Sequence, residues 1–505
     1  MSLSSYSSLK EGRRFFQDAR FEPTRDFAKT NAENCLFTSV EEIAPNRTGF
    51  RELRRTLLDA PDFDPDVRRT YLYHRVYSAL GGVVAGMLVN GPMIGIKALK
   101  AADWHLALPM SMSSIGLFLT LILSVRMAQR PKLPFLLVPG FASCAACLGM
   151  ALTPEPLAFL FLLGLFNLLD SVSRPALTVI IRLNYPAESR GWVTGHLRRW
   201  SAGTFLVAAL STGWVLDRAD TWPVIQALLI TAAVLQMLAH LAFSRIRVRP
   251  EPRSEADAGA FARAGWSSFV GALAAVGRDR RFLLYLWGSA IFQLGNLMYE
   301  PLVRAFMSSE LQFNYTQCVF IADVLPSTFS LATTARLGAW LDRTNPLFAW
   351  SLIRLFWGID PLLLALAPIW PSGAMAIAAT ARLLRGSVMN GSYILWWELG
   401  GNYFATRREL TSVYVGASFS VNGVQRMIGP PLGAYLGSVS SRRAVLVIGG
   451  LLVLFAAYLA RRQAEDEKVD GRYPTFADKE AEPMPFLPAS PAAAPSSSRA
   501  ERPDS

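Results

Sequence analysis

Four carboxylates and three arginines stand inside otherwise apolar stretches of this 505-residue chain, and their types and spacing are where chemistry is to be sought. Asp170 and Arg174 are four residues apart, which places them on one face of a helix. Arg382 and Arg385 are three apart and again share a side. Glu300 precedes Pro301, with Asn296 and Gln293 one and two turns before it, while Asp323 and Asp360 stand alone in two further apolar runs. Ionisable groups at such depth are costly in lipid and normally face a bundle interior or a wet cavity. Asp170 with Arg174 reads either as a solute-binding or coupling pair or as an ion pair between packed helices. Two guanidiniums suit a carboxylate or phosphate on a solute, and they equally suit pairing with Asp323 or Asp360. A carboxylate that is alternately buried and wetted changes its proton affinity. Asp170, Glu300, Asp323 and Asp360, in that order, are therefore candidates for proton coupling, with a structural role the alternative for each.

These residues need elements to hold them. The chain is 52% hydrophobic and 17% charged, with a mean hydropathy of +0.28, too apolar for a water-facing globule. About 20 mainly apolar residues cross a hydrocarbon core as a helix, and helices satisfy their own backbone groups where water is absent. Twelve spans are expected, at 74–98, 104–126, 133–152, 155–182, 191–217 and 221–245, then at 281–306, 314–337, 346–368, 373–399, 408–437 and 442–461. The expected fold class is an all-α polytopic membrane protein with twelve transmembrane helices in two six-helix bundles. Residues 1–73 form a cytoplasmic N-terminal extension, 74–245 the first bundle and 281–461 the second. Between them 246–280 is a cytoplasmic linker with an amphipathic helix at 266–276, and 462–505 is a tail of disordered composition.

The net charge of +12 does not gather into a basic stripe, so nucleic acid is not an expected partner. Basic residues flank the spans instead. With the N-terminus inside, inner loops and linker collect about nineteen of them, and the outer loops six (Lys97, Lys100, Arg218, Arg304, Arg442 and Arg443). That bias puts both termini on the cytoplasmic side of a cell (inner) membrane. Catalysis finds little support. Cys144 and Cys147 form a C-x-x-C, but inside the apolar stretch 135–152, where a buried packing pair is the better reading than redox or metal chemistry. The histidines (His74, His105, His196, His240) are dispersed, and neither H-E-x-x-H nor a phosphate-binding G-x-x-x-x-G-K-[ST] occurs. The chain is read as a non-enzyme without cofactor or metal: a secondary active transporter moving a small-molecule solute by alternating access, coupled to protons, and working in the lipid bilayer as a monomer. The other reading is a sensor or scaffold that keeps the fold without transport.

The two halves echo each other. Asn184-Tyr185-Pro186-Ala187-Glu188-Ser189-Arg190-Gly191 follows the fourth span, and Asn402-Tyr403-Phe404-Ala405-Thr406-Arg407-Arg408-Glu409 follows the tenth. This alignment makes Asn167 the counterpart of Arg385. Duplicated six-helix halves, pseudo-symmetric about the solute site, are a transporter architecture. Two motifs sharpen the comparison: the stretch from Arg174-Pro175-Ala176 to Arg190-Gly191-Trp192-Val193-Thr194-Gly195, and Gly338-Ala339-Trp340-Leu341-Asp342-Arg343. Over residues 75–460 the chain resembles the major facilitator superfamily, whose link from helix four to helix five and whose G-x-x-x-D-R loop between helices eight and nine these motifs match. The resemblance implies a central cavity lined by helices one, four, seven and ten. It also implies an inward gate latched by Asp342 and Arg343, with Gly338 permitting close helix approach and Arg190-Gly191 belonging to the matching link. The loop between helices two and three departs from the pattern, with Arg126, Arg130 and Lys132 but no acidic partner. The glycine–proline motif of drug antiporters is missing from 201–216, and a similar Gly429-Pro430-Pro431-Leu432-Gly433 lies on span eleven instead.

Overall fold

The computed structural model describes residues 63–127, 130–186, 189–249, 277–399, 403–404 and 411–468. The expected extension up to residue 62, the amphipathic segment 266–276 and the tail after 468 lie outside them. Among the described residues there are twelve long helices and no strand. Helix α1 runs as two pieces, Pro65–Leu88 and Gly91–Lys97. It is followed by α2 (Ala107–Met127), α3 (Leu133–Leu152), α4 (Pro156–Asn184), α5 (Arg190–Arg218) and α6 (Trp222–Ser244). The second half holds α7 (Arg280–Ser309) and α8, the latter in consecutive pieces Tyr315–Val319, Phe320–Val324 and Leu325–Leu341. Then come α9 (Pro346–Leu366), α10 (Ala374–Glu398), α11 (Thr411–Val439) and α12 (Arg442–Asp466). Six of them, α1, α3, α4, α6, α9 and α12, are long and apolar enough to cross a membrane by length and composition. Helices α7 and α10 carry the polar side chains on which the sequence reading turned.

Short polar signals set the helix ends. Glu155 caps α4, its carboxylate accepting from the N–H groups of Leu157 (3.0 Å) and Ala158 (2.6 Å), which holds this carboxyl below the ordinary range. Asp279 does the same for α7 and Asn345 for α9. The first helix starts at Pro65, earlier than the apolar span suggests, because its opening turns are polar.

Packing within each half follows one scheme. Helix α1 packs on α5 and α6, α2 on α4, and α3 on α4 and α6. Adding six to every label reproduces the second half: α7 on α11 and α12, α8 on α10, and α9 on α10 and α12. The halves meet where α2 touches α11 and where α8 touches α5, two contacts related by the same rule. Ala374 opens α10 218 residues after Pro156 opens α4 (374 − 156), the offset that also separates Asn402 from Asn184 (402 − 184).

The repeated motifs have structural reasons. A side chain at Gly86 would put its Cβ 2.4 Å from the Phe205 carbonyl oxygen, and one at Gly433 would stand 1.9 Å from that of Met298. Glycine is thus required where α1 crosses α5 and where α7 crosses α11, and Gly429-Pro430-Pro431-Leu432-Gly433 belongs to the second crossing. Tyr185 ties the end of α4 to His74 of α1 at 3.2 Å. Its counterpart Tyr403 accepts from Asn345 at 3.3 Å and hydrogen-bonds Glu467. Asn184 fixes the chain leaving α6, bonding the Arg247 carbonyl and the Arg249 N–H. Cys144 and Cys147 are buried free thiols inside α3.

Candidate functional site

A cavity of about 260 Å³ opens between the halves, walled mainly by α7, α9, α10 and α11, with Met110 of α2 from the first half. Its aromatic walls are Tyr285 and Phe292 of α7, Trp350 and Trp357 of α9, and Tyr393 and Trp396 of α10. Amides ring it: Gln293 donates to Asn422 at 3.1 Å, joining α7 to α11, and Asn296 accepts from the Trp357 indole at 2.8 Å. Arg426, Gln425 and Ser418 complete the α11 face.

Glu300 and Arg385 belong both to the lining and to a cluster of six charges completed by Asp323, Asp360, Arg304 and Arg382. Arg385 hydrogen-bonds Glu300, reaches Asp360 at 3.4 Å and stacks 4.7 Å from the Trp357 ring centre. Arg382 lies 3.4 Å from Asp360 and 3.9 Å from Glu300. Arg304 pairs with Asp323. Asp360 is 0% and Arg382 1% exposed, so removing any one partner would strand a charge in a medium of low polarity. Both possibilities held open for Arg382 and Arg385 meet here, since they pair with carboxylates and one of them also faces the cavity. Of the acids expected as their partners, Asp360 takes that place, whereas Asp323 is held by Arg304. That arginine reads as an outer-loop charge in the sequence, yet it sits inside α7, one helical turn after Glu300. The five-residue π-turn Phe320–Val324 carries Asp323 at the start of α8.

Asp170 and Arg174 pair with each other at 2.8 Å along α4, and their side chains are 42% and 68% exposed. They stand apart from the cluster. Arg174 comes within electrostatic reach of Tyr393 on α10 and Arg426 on α11, but neither it nor Asp170 lines the cavity, to which the described residues of α1 and α4 contribute nothing. Asn167 precedes Asp170 by one turn on α4 and is half-buried. Arg190 donates from Nε to the Tyr185 carbonyl at 3.0 Å and from Nη2 to that of Arg182 at 2.8 Å, closing the end of α4. Asp342 and Arg343 are exposed, with no ion pair to any described residue, and a Cβ added at Gly338 or Gly191 would meet nothing within 4 Å.

The polar contacts that join the two halves lie, among the described residues, at the opposite end of the bundle from the start of α1 and the end of α12. Lys97 donates to the Phe313 carbonyl at 2.7 Å and lies 4.9 Å from the Tyr315 ring centre. Arg442 grips Asp103 with Nε and Nη2, the shortest contact being 2.7 Å. Asp217 at the end of α5 accepts from the N–H groups of Tyr315 (2.6 Å) and Thr316 (3.0 Å), capping a helix of the other half. None of these four residues stands out in the sequence as a gate, because each is a loop-edge charge whose partner is distant in the chain.

This architecture matches solved structures closely in shape and distantly in sequence. A nucleoside transporter NupG (D323A mutant) superposes with a TM-score of 0.61 at 12% identity, covering 78% of this chain and 99% of that one. This is the major facilitator fold. A bacterial homologue of the human lysosomal transporter Spinster, inward-facing and unoccupied, gives 0.58 at 13% identity over 81% and 100% of the two chains. A bacterial homologue of the iron transporter ferroportin, inward-facing, gives 0.53 at 14% over 78% and 98%. No protein-family model and no curated sequence matches the chain. With the major facilitator fold and its apolar helices, the chain is an integral, multi-pass membrane protein.

Proposed function

We propose that this protein is a secondary transporter that carries a small solute by alternating access, coupled to protons. The observation that carries the reading is the asymmetry of its contacts. Among the described residues, the hydrogen bonds and ion pairs between the halves all lie at one end of the bundle, and none of them spans the cavity. Rocking the halves about the cavity would release those contacts. The solved neighbours in fold, a nucleoside transporter and bacterial homologues of the transporters Spinster and ferroportin, agree with transport in general. On the positive-inside argument the sealed end is the outer one and both termini are cytoplasmic.

Glu300 is the coupling residue in this reading. It borders the cavity and shares Arg385 with a cluster of three acids and three arginines. One proton on Glu300 unbalances that cluster and leaves Arg385 with Asp360 alone, so proton occupancy and solute contact are linked at one side chain. The test is uptake of a solute panel into proteoliposomes with and without an imposed pH gradient. Wild type should move one solute class faster with the gradient. Glu300→Gln should lose the gradient dependence while keeping downhill exchange. Absence of any movement by correctly folded protein would favour the sensor or scaffold reading.

A further inference from the structure

The charges around the cavity do not sum to zero. Glu300, Asp323 and Asp360 balance Arg304, Arg382 and Arg385, and Asp170 balances Arg174. Two arginines near the same space have no carboxylate partner among the described residues. Arg354 of α9 is 1% exposed. Its Nη1 donates to the Ala456 carbonyl at 3.1 Å and its Nη2 to Ser289 Oγ at 2.9 Å. Its guanidinium lies 4.6 Å from the Trp350 ring centre and 5.1 Å from that of Phe292. Arg426 of α11 lines the cavity directly, its Nε donating to Asn422 Oδ1 at 3.2 Å. Ser289, Phe292 and Trp350 are themselves cavity wall. Both excess charges therefore bear on one space, Arg426 by contact and Arg354 through one layer of side chains.

A buried cation without a counter-charge costs several kcal/mol, and cation–π contacts with two aromatic rings offset part of that for Arg354. A cleft with apolar walls focuses such a field rather than dissipating it. With Nε engaged by Asn422, the two Nη groups of Arg426 have no described partner, and a guanidinium fork matches a carboxylate with two parallel hydrogen bonds. Six of the lining side chains are aromatic, which favours a flat apolar body beside that anionic group. Arg385, the other guanidinium in the lining, is already held by Glu300 and Asp360. The cavity thus offers, among the described residues, one free fork, which a single carboxylate fills with two parallel hydrogen bonds.

We propose that the cavity binds an organic anion, a carboxylate carried on a flat ring, with Arg426 as the anchoring residue and Arg354 supplying positive potential behind the wall. This deepens the transport reading and takes its biological setting from it. Binding can be followed without any gradient, by quenching of cavity tryptophan fluorescence in nanodiscs holding the full chain. Benzoate should bind about tenfold or more tightly than neutral benzamide, cationic benzylamine or ringless acetate, the order expected for one charge-assisted pair. Arg426→Gln should lose that margin for benzoate and leave benzamide unchanged, while Arg426→Lys should fall between, each with an unaltered melting temperature as evidence of folding. Equal binding of benzoate and benzamide by wild type would overturn the proposal. So would a preference that survives Arg426→Gln, or no benzoate binding at millimolar concentration by folded protein. Benzoate binding without transport of any solute would leave the site standing and count against the transport reading. Transport of a neutral or cationic solute without anion binding would do the reverse.

Discussion

Asp360 shows how much one side chain holds here. It is fully buried and lies within 3.4 Å of two arginines that otherwise share Glu300 alone. Asp360→Asn should therefore destabilise the protein by about 3 kcal/mol, the order found when one partner of a buried pair is removed. Adding Arg382→Met should recover part of the loss, because it withdraws the stranded cation; thermal unfolding in detergent would read both. Further loss in the double variant would mean that the Arg382–Glu300 contact outweighs the stranded charge. The candidate site was only partly legible in the sequence at this scale. Glu300, Asp323, Arg382 and Arg385 announce themselves as charges in apolar runs, and all four enter the cluster. Arg304 escapes because it lies where a span runs out, and only folding brings it to Asp323. Arg354 and Arg426 are passed over in the sequence, since whether an arginine in an apolar run has a counter-charge is a tertiary fact.

At the scale of helices, the sequence carried most of the fold. Long apolar spans bounded by polar turns are read by length alone, so the expected and observed helices agree to within a few residues over most of the chain. Less visible was where helices must touch. The crossing of α7 and α11 depends on Gly433, which leaves no room for a Cβ beside the Met298 carbonyl. Gly433→Ala should lower the yield of folded protein and its melting temperature. Gly423→Ala on the same helix, where an added Cβ meets nothing within 4 Å, should be neutral or stabilise by up to about 1 kcal/mol. Equal effects of the two would deny that the crossing sets the position of α11. The breaks in α1 at Asn90 and in α8 at Phe320–Val324 depend on tertiary packing and are not set by span length. Asn90 is buried and donates to the Ala209 carbonyl of α5 at 3.3 Å, so it packs helices and does not face the cavity.

For the whole molecule the relevant quantity is the balance between two arrangements of its halves. Asp217 caps α8 across the interface with two charge-assisted hydrogen bonds. Such bonds are worth about 2 kcal/mol, or roughly thirty-fold in an equilibrium. Asp217→Asn should let the sealed end open in a larger share of molecules. Spin labels at exposed Asp220 of the first half and Val439 of the second would then show a population at longer separation. An unchanged distance distribution would mean that Lys97 and the Asp103–Arg442 pair hold that end without it.

The seal also has a consequence for the medium it faces. Its ionic members, Lys97, Asp103, Asp217 and Arg442, stand at the edge of the bundle. The Asp103 and Arg442 side chains keep 11% and 25% of their surface open to solvent. Attraction between partly exposed charges weakens as dissolved ions shorten its range, to about 10 Å at 0.1 M and about 3 Å at 1 M. In the cluster around Glu300, Asp360 and Arg382 are 0% and 1% exposed and feel little of this. Brine on the sealed side therefore loosens that closure while leaving the centre of the molecule intact, so the resting shape of the protein is tied to the salinity of the compartment beyond it.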